Sequence, residues 1–402
     1  MKREYVFAGA GGVVVLLVII AWLVTRGGDT PSEYSMADAE EAFASTDYAR
    51  TAEILAELAE EDNLLAQYRL GMMYLDGRGV EPDADRAAEY LARAYAAEYA
   101  PAGEALAGMY IERAEAADSL EAGVEWYQRA VDVDSMEAMT VLGSYYLSGT
   151  AVAADPERAI ELLARPAAAG DVRAQSNLGY AYLTGRGVAQ SDAEAFRWYL
   201  AASETGLVRA QPILGMLYET GRGTERNIPE AARWYLNALS AGAPGVDARL
   251  GALIANGEMP VQSEFDAVSW VGAAARGGHA PSAAWLEQAA ESGDPDALAV
   301  LAEFYIEGEV LPQNARRGLD FQSRAAEAGS ARAQLAMSQR FATGDGVNQD
   351  YVQAHIWSNL AAAAGIDGAA EQRDAVARFL SPEELEQAQE SATEWLERAR
   401  ND

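Results

Sequence analysis

Imidazole is the side chain best suited to moving protons near neutral pH, and this chain of 402 residues carries two, His279 and His355. His279 follows Gly277-Gly278 and has the chemistry of a base or a metal ligand, but a lone histidine after two glycines reads as a surface loop residue. His355 lies two residues before Trp357 in a helical pattern and reads as a partly buried, hydrogen-bonded side chain. Cysteine is absent, which excludes disulfides, thiolate metal sites and thiol nucleophiles. Lys2 is the one lysine among 30 basic residues, so the body of the chain has no P-loop lysine, Schiff-base lysine or Ser-x-x-Lys pair. Gly344-Asp345-Gly346-Val347-Asn348-Gln349-Asp350 offers oxygen ligands, but lacks calcium-loop spacing and a terminal glutamate, so it reads as a turn and a helix cap. The expectation is a chain with no catalytic, cofactor-binding or metal-binding residues.

The elements that would position any site come from a repeat. Counting from Leu70, the same pattern returns at Leu106, Leu142, Leu178, Leu214 and Leu250, each 36 residues on, and again at Leu301 and Met337. Four residues before each anchor stands alanine or valine, and one after it a small residue. Four after it stands an aromatic in seven of eight copies. At +17 every copy has Ala or Gly, and at +20 the residues are Tyr90, Trp126, Leu162, Trp198, Trp234, Trp270, Phe321 and Trp357. Positions −4, 0, +1 and +4 share one face of a helix. A Gly-x-Gly turn follows, as at Gly185/Gly187 and Gly221/Gly223, and then a second helix that glycine closes in most copies. These turns join two helices and carry no lysine, so they are not nucleotide loops. The +20 column, one per repeat, reads as core rather than as a sugar-stacking platform. A helix hairpin of this size cannot bury its apolar face alone, whereas stacked copies can.

These motifs resemble the Sel1-like repeat family, a relative of the tetratricopeptide repeat. The resemblance lies in the Leu-Gly-x-x-Tyr-x-x-Gly-x-Gly-Val block from Leu70 and in the block Ala195-Phe196-Arg197-Trp198-Tyr199-Leu200-Ala201-Ala202. It implies an all-α superhelical solenoid of antiparallel helix pairs that serves as a binding scaffold, with first helices lining a concave side. Four copies depart from the pattern: the one at Leu106 has Arg113 at the first turn glycine, and those at Leu142, Leu250 and Leu301 lack the second. Their turns are expected to differ.

The predicted organisation begins with an N-terminal anchor at 1–26. Val6 to Val24 is a run of 19 uncharged residues, long enough to span roughly 28 Å of hydrocarbon as a helix. Lys2 and Arg3 before it and the acidic body after it place the N-terminus in the cytoplasm and the repeats in the periplasm. A cleaved signal peptide is disfavoured by the length of the run. A linker at 27–35, a helical cap at 36–63, eight repeats over 64–365 and capping helices at 366–402 complete the chain. Leu250 and Leu301 are 51 residues apart, and the extra stretch near 279–293 reads as an incomplete unit.

Sixty-two acidic residues give a net charge of −32, which disfavours nucleic-acid binding and suits basic partner segments. The +2 column varies where its neighbours do not, so Met72, Ser144, Tyr180, Met216, Glu303 and Gln339 are the predicted partner-binding residues. The functional expectation is a membrane-anchored, non-catalytic scaffold for envelope proteins, with roles in assembly, exopolysaccharide export or signalling implied by the resemblance. A glycan or peptidoglycan binder and a β-lactamase-like hydrolase are the alternatives. The missing Ser-x-x-Lys and cysteines oppose the latter.

Overall fold

The computed structural model describes residues 34–262 and 266–401. The predicted span at 6–24 lies outside the described residues, and among these no helix is long and apolar enough to cross a membrane. The described residues contain α-helices, one 3-10 turn and no strand. They divide into two compact units, each an α-solenoid segment. The first comprises residues 34–145 with Thr150–Ala153, and the second Tyr146–Gly149 with the residues from Ala154 onward.

In the first unit run α1 (Met36–Ala44), α2 (Tyr48–Glu60), α3 (Leu64–Asp76), α4 (Ala84–Ala96), α5 (Ala100–Glu115), α6 (Leu120–Asp132) and most of α7 (Met136–Ser148). The second holds α8 (Pro156–Ala168), α9 (Val172–Thr184), α10 (Asp192–Glu204), α11 (Gln211–Thr220), α12 (Ile228–Ser240), α13 (Val246–Ala255) and α14 (Ala267–Arg276). It continues with α15 (Ala280–Glu291), α16 (Pro295–Glu307), α17 (Ala315–Glu327), α18 (Ala331–Thr343), α19 (Tyr351–Ala363), α20 (Ala369–Ala377) and α21 (Pro382–Asn401).

A capping column the repeat pattern carries at +13 starts the second helices. The side chains of Asp83, Ser119, Asp155, Ser191, Asn227, Asn314 and Asp350 each accept a backbone N–H from the first turn of the helix that follows. Such a cap contributes about 1 kcal/mol. The N–H of the same residue donates to the carbonyl at +4 in most copies, as from Ser191 to Tyr182 and from Asn227 to Tyr218, and this closes the turn. The first helices stop at glycines in left-handed backbone, Gly77, Gly185, Gly221, Gly308 and Gly344. With Arg113 in that place, α5 runs on to Glu115. In the copy at Leu250 both helices shorten to ten residues, and Asp266 takes over the capping of α14.

The core is built from columns. Positions −4, 0, +1, +17 and +24 are buried in every copy. So is +21, with Leu91, Tyr127, Leu163, Tyr199, Tyr235, Val271, Gln322 and Ser358. Small residues at +1 are required by these neighbours: a Cβ on Gly215 would stand 2.6 Å from the Tyr235 ring, and one on Gly179 would stand 2.9 Å from the Tyr199 ring. The Tyr235 hydroxyl donates to Glu219 at 2.6 Å, so its polar end is satisfied within the packing.

The +20 aromatics belong to the core as their regularity predicts, but most stand at its edge. Trp234 and Phe321 are buried, but Tyr90, Trp126, Trp198, Trp270 and Trp357 are half-buried. The reason is helical geometry: the neighbouring +21 position points inward, and +20 lies at the edge of the hairpin, against the +4 aromatic. Tyr74 and Tyr90 stack at 6.0 Å, and Tyr305 and Phe321 at 5.7 Å. Arginines cover the remaining faces, with Arg197 4.2 Å from the Trp198 ring, Arg233 4.5 Å from that of Trp234, and Arg113 and Arg129 both over Trp126. A flat guanidinium stacks where a lysine ammonium does not, which gives the arginine-for-lysine bias a structural use.

Neighbouring hairpins are joined by two further devices. Gln67, Gln175 and Gln334, three residues before their anchors, each donate Nε2 to a carbonyl near the end of the preceding second helix, those of Ala59, Ala167 and Ala326, at 3.1–3.2 Å. The second turn glycine lies directly on the preceding hairpin: a Cβ on Gly223 would be 2.0 Å from the Asp192 carbonyl oxygen, and one on Gly187 would be 2.3 Å from that of Pro156. Arg222 clamps the first of these contacts by a two-pronged pair with Asp192 at 2.6 and 3.1 Å.

The stretch after Arg276 forms one helix, α15, with no hairpin partner of its own. Its Ser282, Leu286 and Ala290 are buried. Helices α14 and α16 still meet, since Arg276 lies 5.1 Å from the Phe304 ring and 2.8 Å from Glu303. At the C-terminal end, Ser381 and Glu384 form the capping pair of α21, and Ala388 and Ala392 are buried.

Candidate partner-binding surface

The groups with intrinsic reactivity are taken up by structure. His279 precedes α15, and its Nδ1 lies 2.8 Å from Ser282 Oγ. That hydroxyl is fully buried and cannot meet a substrate. His355 is buried in α19, where desolvation and then the Arg373 charge push its pKa down. It is therefore a neutral packing residue. In 344–350, Gly344 ends α18, Asp345 pairs with Arg340 at 2.6 Å and Asp350 caps α19, so this segment is the predicted turn and cap. Among the described residues no three His, Asp or Glu side chains are placed to hold a metal ion.

Electrostatics differ from composition in one respect. Residues 34–145 hold 24 carboxylates against 7 arginines. Each of those arginines is in an ion pair: Arg50–Glu53, Arg69–Glu40, Arg78–Asp76, Arg86–Asp83, Arg93–Glu60, Arg113–Asp85 and Arg129–Glu125. The cations are thus locally neutralised, and the surplus of carboxylates sets the sign of the field around the first unit.

The +2 residues fall on the first helices. Met72 and Ser144 belong to the first unit, and Tyr180, Met216, Glu303 and Gln339 to the second. Tyr180 and Gln339 are exposed. Met72, Ser144, Met216 and Glu303 are half-buried, Met216 packing beside Leu217 and Glu303 accepting from Arg276. No +2 residue is buried, in contrast to the anchor and +1 columns just before it.

Sequence reasoning did not find the groove beside Met72. Helix α1 joins α2 through a turn of three residues, where six of the eight repeats use seven, and a cleft of about 420 Å³ lies between α1 and α3. Phe43, Leu55, Tyr68, Met72 and Met73 form its apolar lining. Phe43 is 44% exposed, unusual for phenylalanine. Two ion pairs stand at the rim, Glu40–Arg69 at 3.1 Å, which links α1 to α3, and Asp76–Arg78 at 3.3 Å. The departure of the 36–63 stretch from the repeat spacing was the available signal.

Comparisons with known proteins agree with the repeat register. The family model described as Sel1 repeat matches residues 64–99, 109–134, 137–171, 172–207, 208–242, 282–294, 295–330 and 331–366. The hairpin at Leu250 is outside these matches, and the single helix α15 overlaps a short one. Among solved structures, a Sel1 repeat protein from Oxalobacter formigenes is 22% identical, with 88% of this chain and 98% of that one covered and a TM-score of 0.42. A protective antigen of uropathogenic Escherichia coli with an SLR fold is also 22% identical, with 87% of each chain covered and a TM-score of 0.40. A Sel1 repeat protein from Klebsiella pneumoniae is 25% identical over 48% of this chain and 95% of its own, with a TM-score of 0.24. No curated protein matches.

Proposed function

The chain belongs to the Sel1 repeat family, and we propose that it is a membrane-anchored scaffold of the bacterial envelope that binds other proteins through the open side of its first helices. The observation that carries this reading is the contrast between columns. Packing holds −4, 0, +1, +17, +21 and +24 buried in every copy, while +2 changes chemistry from copy to copy and is never buried. A constant frame that displays different side chains at one repeated position suits a long asymmetric ligand, bound by many weak contacts. The reactive groups engaged in caps and packing support a non-catalytic role.

The uncharged run at 6–24 with basic residues before it supports an anchor in the inner membrane, with the repeats in the periplasm. Assembly of envelope proteins, exopolysaccharide export and signalling are the roles that fit such a placement. A photocrosslinking residue placed at Tyr180 or Gln339 in cells is expected to capture a discrete protein, and one at Arg197 on a second helix is not. Equal capture at all three positions, or none at Tyr180 and Gln339, would overturn the reading. A reporter active only outside the cytoplasm, fused after Asp402, is expected to be active. Silence there, with a working cytoplasmic control, would remove the membrane topology.

A further inference from the structure

We infer that the groove between α1 and α3 seats an amphipathic basic helix of a partner protein, one with a narrow apolar stripe flanked by lysine or arginine. This rests on the scaffold reading and names the partner chemistry for one end of it. Three observations meet here. The first is shape: the cleft lies between two helices in the layer of first helices, and its volume of about 420 Å³ falls within the range of binding pockets. A third helix laid into such a cleft contacts it through residues at i, i+3, i+4 and i+7.

The second is lining. Phe43, Met72 and Met73 present a flexible apolar surface at the cleft, and methionine adapts to irregular partners. Phe43 keeps 44% of its surface open although its ring touches Tyr48 at 5.3 Å. The third is charge. Both rim arginines, Arg69 and Arg78, are held by Glu40 and Asp76, and the unit around them carries 17 more carboxylates than arginines, 24 against 7. An acidic or neutral helix gains nothing from that field, whereas a cationic helix is drawn to it and exchanges partners with the rim carboxylates.

The test uses the purified full-length chain and a fluorescent synthetic peptide with leucine at i, i+3, i+4 and i+7 and lysine at most other positions. Controls are the same leucines among glutamates, and the lysine peptide scrambled to break the stripe. Fluorescence anisotropy is expected to show saturable binding of the lysine peptide alone, weakened by salt. Phe43→Ser and Met72→Glu should each weaken it at least tenfold, while the conservative Met72→Leu and a control on α6, the exposed Leu120→Ser outside the groove lining, leave it unchanged. Met72→Glu adds a charge that attracts the peptide, so lost binding reports the apolar seat itself. Circular dichroism and thermal midpoints check that the variants fold. Binding that ignores Phe43→Ser and Met72→Glu, equal binding of the scrambled or glutamate peptide, or no binding would overturn the inference. So would a concentration-dependent dimer abolished by Phe43→Ser, because the occupant would then be a second copy. Crosslinks from Tyr180 and Gln339 with an indifferent groove would sink this inference and leave the scaffold standing.

Discussion

Two glycines with nearly the same backbone should respond very differently to alanine. Gly223 has φ +74° and Gly242 has φ +79°, both in the left-handed region. An L-residue pays about 1–2 kcal/mol for that conformation at either place. Around Gly242 a Cβ would meet nothing within 4 Å, so Gly242→Ala should cost only this. On Gly223 the Cβ would stand 2.0 Å from the Asp192 carbonyl oxygen and 2.5 Å from its carbon, which belong to the start of the preceding second helix. That backbone cannot swing aside as a side chain could, and Arg222, next to Gly223, holds the Asp192 carboxylate by two hydrogen bonds. Forced overpacking adds about 1–3 kcal/mol, giving about 2–5 kcal/mol for Gly223→Ala. Urea titration followed by far-ultraviolet circular dichroism compares the two variants with the wild type. Equal losses would refute the reasoning, because the second turn glycine would then serve its own turn alone and not the contact between hairpins.

Other consequences follow from single residues. Glu98 occupies the left-handed position, φ +66°, that glycine holds in most copies, so Glu98→Gly should stabilise by about 1 kcal/mol in the same titration. Gln175→Ala should cost about 1 kcal/mol by removing the link to the Ala167 carbonyl, which keeps the Gly170 N–H as its other donor, a loss that urea titration would read. His355 is neutral when folded and has its pKa lowered, so the unfolded chain takes up protons first as pH falls below about 6.5. Stability should therefore decline from there downward by up to about 1.4 kcal/mol per pH unit until the folded histidine titrates. Thermal melts of His355→Gln between pH 7.5 and 5.5 should show a smaller decline than wild type.

The repeat period and the small columns were legible because stacking fixes them. Both −4 and +17 are buried in all eight copies and hold nothing larger than Val246 and alanine respectively, so the copies agree. The +21 column was missed because Leu, Tyr, Val, Gln and Ser all fill it: burial is constant there while chemistry is not. The reverse holds at +20, where a recurring bulky residue, tryptophan in five of eight copies, hid an edge that is half-buried in most copies. The +13 caps alternate among Asp, Ser and Asn, three residues with one function, and read as variation until the hydrogen bonds are seen. The glutamine links at −3 occur in some copies only. The groove beside Phe43 and Met72 lies against α1, where the period is broken and periodicity has nothing to say. The predicted span at 6–24 rests on hydropathy alone.

Removal of one whole period tests most directly whether equal hairpins bury one another's apolar faces. Deleting residues 172–207 joins Asp171 to Val208 and keeps every column in register. The account predicts a soluble repeat body with undiminished helix content per residue and a single cooperative thermal transition, whereas deleting 172–189, half a period, should abolish both. Collapse of the in-register deletion, or equal tolerance of the half-period one, would contradict it.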